Sequence, residues 1–212
     1  MSERQQRIRR SRRTGLSGVL QLANELDSEP EHARHVRTLA RLLFDQTKSL
    51  HGLGRRERRV LEAGALLHDT GLRRGVNRHH KHSRDIILDL ELPGFSEEEK
   101  AVIACLARYH RKAPPRPDHR VFRDLAPETQ RTVRVLAAIL RIADGLDRAH
   151  LAASRGLRVA LNGTDCRIAV DQSAESQTDL WGAMRKRDLF EEVFGVRVEI
   201  APADMAAARP EG

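Results

Sequence analysis

The chain has 212 residues, 40% of them hydrophobic, enough for one ordinary domain with an appendage or for two small ones. Its net charge of +8 is concentrated at the start, where residues 1–13 hold six Arg and one Glu, so the rest of the chain is close to neutral and nucleic-acid binding is not the leading inference from charge. No apolar run approaches the roughly 18 residues of a membrane span, no secretion-signal segment stands at the N-terminus, and 3% aromatic residues argue against a base-stacking surface.

Residues 1–13 form a basic arm, suited to polyphosphate, RNA or another polyanion, or simply a solvated tail. Leu16, Val19, Leu20, Ala23 and Leu26 then recur at helical spacing. Ser28-Glu29-Pro30-Glu31 reads as a capping box with proline in the first turn. The helix it opens has an apolar face of Val36, Leu39, Ala40 and Leu43 and ends near His51-Gly52. A third helix covers about Arg56 to Asp69, with Gly71 as its stop, followed by a polar loop to Arg78 and a short helix from about Lys81 to Leu90. Leu92-Pro93-Gly94 breaks the chain, and Ser96-Glu97-Glu98-Glu99 caps a helix to about Tyr109. Pro114, Pro115 and Pro117 enforce an extended loop before a long helix from about Pro127 to Ala149. Beyond Ser154 the period changes to two: Leu157, Val159 and Leu161, a turn at Asn162–Asp165, then Cys166, Ile168 and Val170 predict a hairpin. A helix over about Thr178 to Phe194, on which Trp181, Phe190 and Phe194 would pack against the sheet, precedes a third strand through Val196, Val198 and Ile200. The expected fold class is mainly α: a helical domain over 14–153, a small α+β subdomain over 154–202 and a loose tail over 203–212.

Ten histidines are many for this length, and nine fall between His32 and His119. His68-Asp69 closes a helix with an apolar inner face and offers imidazole and carboxylate to one cation. His32 shares the core-facing stripe of Val36, Ala40 and Leu43, and Asp144 shares that of Leu136 and Leu140. A buried carboxylate without a partner is costly, and a metal held with the two histidines would relieve it; a hydrogen-bonded structural cluster is the alternative. His82 is either a helix-start residue or a ligand, and His110 either a helix C-cap or a site residue. His35 lies at the edge of its stripe, Asp147 is expected to pair with a neighbouring Arg, and Arg148, one turn past Asp144, could reach substrate. Cys105 and Cys166 lie far apart, fit no metal or disulfide framework and suit a reducing cytoplasm.

The order His32, His68-Asp69, Asp144 resembles the HD superfamily of metal-dependent phosphohydrolases. The resemblance implies an HD-type helical bundle and one or two divalent ions, with Mn, Mg, Zn, Fe, Co and Ni not distinguished. It places His32, His68, Asp69 and Asp144 on the first metal, and His82 and His110 on a second or on the substrate phosphate, with Asp69 bridging and orienting the attacking water. His79, His80, Lys81, Arg111, Lys112 and Arg148 are the candidates to bind phosphate. The strings HARHVRTLARLLFDQ, LLHDTGL, HHKHSRDIIL, LPGFSEEEKAVIACLARYHRK, LRIADGLDRAH and RKRDLFEEVFGVRVEI look like the C-terminal region of the exopolyphosphatase and guanosine pentaphosphate phosphatase family. In that family an actin-like catalytic module precedes this region; its phosphate-binding segment does not occur here, so the chain reads as the C-terminal module alone. Many HD enzymes carry a lysine where this chain has Leu72, a place Arg73, Arg74, Lys81 or Arg111 could fill electrostatically. The expected function is therefore metal-dependent hydrolysis of a phosphoester, nucleotide or phosphoanhydride. Polyphosphate is a further possible partner, and nucleic acid only through the arm. The alternatives are a non-catalytic polyanion-binding or homodimerising module and a regulatory nucleotide-sensing domain.

Overall fold

The computed structural model describes residues 14–26, 29–172 and 177–203. The arm, Ser28 of the expected capping box and nearly all of the tail lie outside them. In chain order the elements are α1 (Gly15–Leu26), α2 (Pro30–Gln46), α3 (Lys48–His51), α4 (Arg55–Leu67), a 3-10 turn (Thr70–Arg74), α5 (His79–Asp89), α6 (Glu97–Tyr109), α7 (Arg120–Arg123), α8 (Pro127–Gly145), β1 (Ser154–Asn162), β2 (Asp165–Gln172), α9 (Gln177–Met184), α10 (Asp188–Phe194) and β3 (Arg197–Pro202). The protein is mainly α-helical with a small sheet near its C-terminus, as the change of period predicts.

Several boundaries are set by chemistry that periodicity does not carry. The second predicted helix stops at Gln46 rather than His51, because Thr47 turns both its hydroxyl (2.7 Å) and its N–H (2.9 Å) onto the Leu43 carbonyl; α3 is a separate turn closed by Gly52 at φ 66°. At α6 the capping box forms as expected: Ser96 Oγ accepts from Glu99 N at 3.1 Å and Glu99 Oε2 accepts from Ser96 N at 2.7 Å. The single helix expected over Thr178–Phe194 is two helices, with residues 185–187 between them.

Helices α2, α4 and α6 pack around α8, and α5 lies against α6. Val133, Leu136, Ala137, Leu140 and Ala143 are buried as their spacing predicts, but the second half of α8 is buried on every side, because α9 and α10 cover the face the bundle leaves open. The three-stranded sheet has the order β1-β2-β3, antiparallel for the hairpin and parallel between β2 and β3, with Val159 opposite Ile168 and Ile168 opposite Ile200. Gln46 at the end of α2 ties the sheet to the bundle, donating to Leu157 O at 3.0 Å and accepting from Val159 N at 2.9 Å.

Candidate metal centre

The centre forms where helices end. His68 is the C-cap of α4 and His110 the C-cap of α6, and each ring donates Nδ1–H to the carbonyl three residues back, Ala65 at 2.7 Å and Ala107 at 2.8 Å. His79, the first residue of α5, does the same with Val76 O at 3.0 Å. His32, one turn into α2, donates Nδ1–H to Asp147 Oδ2 at 2.8 Å. A carbonyl or carboxylate can only accept, so each Nδ1 carries a proton, and in the neutral ring each Nε2 keeps the lone pair. All four Nε2 atoms turn inward, which is how metal-binding imidazoles are oriented by partners behind them.

Two groups of ligand atoms result, each within 4.8 Å of one another: His32, His68 and Asp144, and Asp69, His79 and His110, all buried. Asp144 Oδ1 lies 3.5 Å from His32 Nε2 and 3.6 Å from His68 Nε2. Asp69 stands between the groups, Oδ1 at 3.2 Å from His79 Nε2 and 3.4 Å from His110 Nε2, Oδ2 at 3.7 Å from His68 Nε2. Most of these separations are too long for good hydrogen bonds and suit two atoms sharing a third. His32 Nε2, His68 Nε2 and Asp69 Oδ1 are buried with no hydrogen-bond partner. Buried acceptors without a donor are unfavourable unless a cation enters among them, and the donors that do reach the cluster, Arg111 on His79 Nε2 and Lys186 on Asp144 Oδ2, stand at its edges, so the residues fit a metal.

The electrostatics report the same demand for positive charge. Burial works against protonating His32, yet the Asp144 and Asp147 carboxylates push it up to about 10, so with no other cation beside it the ring takes a second proton at Nε2, on the lone pair a metal would use. Burial likewise opposes the charged form of His68, and Asp69 and Asp144 raise it nonetheless. His110, where burial wins, is pushed down to about 3, and burial also lowers His79. Burial would raise Asp144, but Lys186 above all, with His32 and His68, holds it well below the usual carboxylate range; Asp69 is held down by His68 and His110.

The local backbone explains why His79 rather than His82 reaches the centre. A Cβ on Gly71 would stand 2.2 Å from His79 O and 2.4 Å from Ser83 N, so only glycine lets α5 start against the His68-Asp69 corner; Gly71 N–H donates to Ser83 Oγ at 2.9 Å. Arg78, at φ 57°, starts the helix two residues before the predicted Lys81. His79 thus faces Asp69, whereas His82 is half-buried on the same helix and belongs to neither group. His80 is buried beside His79 with ring centroids 6.0 Å apart, pushed down to about 4 by burial and by Arg108, and also lies outside both groups. Lys81 lies on an outer groove with Arg84 and Arg108. Arg111 reaches in, donating to His79 Nε2 at 3.1 Å, while Lys112 offers its carbonyl to Arg141 at 3.1 Å.

Three participants escape the sequence reading. Asp147, expected to pair with an Arg, instead accepts from His32 and from Ala152 N at 2.8 Å. His150 stacks on His32 with centroids 3.8 Å apart and meets the Glu29 carboxylate. Lys186, between α9 and α10, places Nζ on Asp144 Oδ2. Two glycines allow it: a Cβ on Gly145 would stand 2.5 Å from Ala183 Cα, and one on Gly182 would stand 2.7 Å from Gly145 O. Close backbone approach of α9 to the end of α8 thereby brings a lysine from the C-terminal segment to a carboxylate of the bundle.

Among known families, the one described as Ppx/GppA phosphatase, domain III, matches residues 15–183. The chain belongs to this family. Two relatives, each named guanosine-5'-triphosphate,3'-diphosphate pyrophosphatase, are similar over shorter stretches. The Pseudoalteromonas translucida protein is 42% identical over 64 residues, 30% of this chain and 12% of that protein. The Aeromonas hydrophila protein is 33% identical over 86 residues, 40% of this chain and 17% of that protein. The matched stretches thus cover less than a fifth of either relative's length. Among the described residues no helix is long and apolar enough to cross a membrane.

Proposed function

We propose that this Ppx/GppA domain III chain is an HD-type metal-dependent phosphohydrolase acting on a phosphoester, nucleotide or phosphoanhydride. The observation that carries the reading is the set of inward-facing acceptors, four Nε2 atoms and two carboxylates, with buried orphan atoms among them. His32, His68 and Asp144 would hold one divalent ion, and His79 and His110 a second, with Asp69 between them. A divalent ion bound there supplies an acidified water and a polarised phosphoryl oxygen. The chain's own groups do the rest. Asp69, with one oxygen towards each group, orients the attacking water and takes its proton. The Arg111 guanidinium and the Lys186 ammonium stand at the edges of the cluster and balance charge developing on the phosphoryl oxygens. The test is hydrolysis of nucleoside phosphates, a phosphodiester and tripolyphosphate with Mn, Co, Ni or Mg. The reading expects metal-dependent turnover that Asp69→Asn lowers by about 10³-fold or more, the scale on which removing a central catalytic group acts. Absence of turnover with every metal, or turnover indifferent to Asp69→Asn, contradicts it.

A further inference from the structure

Trp181, the chain's only tryptophan, does not pack against the sheet as its position in the tail helix predicts; it is 51% exposed. Two guanidinium groups lie on its ring, Arg185 at 4.7 Å and Arg148 at 5.5 Å from the centroid. Arg148 follows Asp144 by four residues, and Arg185 directly precedes Lys186, whose ammonium touches Asp144. The same glycine contacts that bring Lys186 to the centre bring Trp181 to Arg148, since a Cβ on Gly182 would also stand 2.8 Å from Arg148 Cδ. Asp179 fixes the approach by accepting Ala149 N–H at 2.8 Å. Neither guanidinium is within ion-pair distance of a carboxylate among the described residues, unlike those of Arg37, Arg56, Arg58, Arg59 and Arg141.

We propose that Arg148 and Arg185, held on Trp181, form a second phosphate subsite beside the metal centre, for a ligand with at least two linked phosphoryl groups. The inference rests on the function proposed above for the place of the first phosphoryl group, at the metal centre; the subsite takes the next. The planar guanidinium fork matches phosphate oxygens in a bidentate way. Two long side chains resting on an aromatic face lose less freedom on binding than free ones, which favours a preorganised clamp. A condensed inorganic phosphate and a nucleoside polyphosphate share this chemistry.

Because Trp181 is the sole tryptophan, fluorescence of the full chain excited at the red edge, where Tyr109 does not absorb, reports on this ring alone. The protein is titrated in Mg with tripolyphosphate, GTP and orthophosphate, the titrations are repeated in EDTA, and binding is measured by calorimetry in Mg for Arg148→Gln/Arg185→Gln and for Arg148→Lys. The proposal expects a saturable emission change with tripolyphosphate and GTP, at concentrations about tenfold or more below those needed for orthophosphate. It expects the double variant to lose about tenfold or more in affinity, with Arg148→Lys between, on the scale of one or two charge-assisted contacts. Equal affinities for tripolyphosphate and GTP assign the subsite to the phosphate chain alone, and tighter GTP binding to a nucleoside polyphosphate. No saturable change, orthophosphate binding as tight as tripolyphosphate, or an unaltered double variant with wild-type circular dichroism overturns it. The EDTA titrations, with metal content measured in parallel, separate failure of the subsite from failure of the metal reading: an emission change that needs Arg148 and Arg185 and survives in EDTA supports the subsite even where no metal binds.

Discussion

Asp147→Asn is the sharpest probe of how the centre is built, because it changes no proposed ligand and almost no volume. Asp147 is fully buried and its two oxygens have different duties: Oδ1 accepts Ala152 N–H and Oδ2 accepts His32 Nδ1–H, both at 2.8 Å. An asparagine can keep only one of these. If its oxygen stays with Ala152, its NH₂ faces His32 Nδ1 and the imidazole must move its proton to Nε2, the atom aimed at Asp144. A proton there blocks the lone pair that would bind a metal. Loss of such an orienting partner costs about 10- to 100-fold in metal affinity, or about 1.4 to 2.8 kcal/mol. Competition against a chelating indicator with Mn or Zn measures it, with circular dichroism as the check on folding. An affinity within twofold of wild type would refute the argument that Asp147 sets the His32 tautomer.

Other consequences follow from single residues. Gly71→Ala should push the start of α5 off the His68-Asp69 corner, since the added Cβ meets backbone at 2.2 and 2.4 Å; metal analysis should then show the His79–His110 group emptied while the His32–His68–Asp144 group still binds. Gly145→Ala should separate α9 from α8 at a cost of about 1 to 3 kcal/mol in urea unfolding and detach Lys186 from Asp144. Glu99 is buried, which alone would raise its carboxyl, but the Ser96 N–H and the Arg56 and Arg59 guanidiniums hold it below its ordinary 4.5. Its folded value lies below the unfolded one, so its contribution is complete above pH 4.5 and is lost as the pH falls through the folded value. Glu99→Gln should therefore destabilise the protein by about 1 to 3 kcal/mol at pH 7, with the gap to wild type narrowing in urea titrations below pH 4.5.

What the sequence discloses follows the range of the physics. The inward placement of His32 and Asp144 is legible because each is a polar residue on the apolar stripe of its own helix, and that of His68 and Asp69 because they close a helix whose inner face is apolar. Their meeting in space needed only that the stripes share a core. The choice of His79 over His82 depended on where α5 begins, and that is set by the Gly71–His79 contact across a loop rather than by any period. Thr47 ended α2 early through a hydroxyl bond that apolar spacing does not register. Lys186 and Trp181 lay beyond reach altogether, because their positions come from two glycine contacts between segments that periodicity treats as separate. Gly145 and Gly182 are 37 residues apart in the chain and carry no signal until the helices are seen to touch.

The central claim is that buried acceptors at the ends of α4, α5 and α6, with those of α2 and α8, hold divalent metal. Metal content of the purified protein, after saturation with Mn or Zn and removal of excess, tests it most directly. The account predicts one to two ions per chain, with binding at the first group lost in His68→Ala and at the second in His110→Ala. A wild-type protein that retains no metal, or variants that retain as much as wild type, would contradict it.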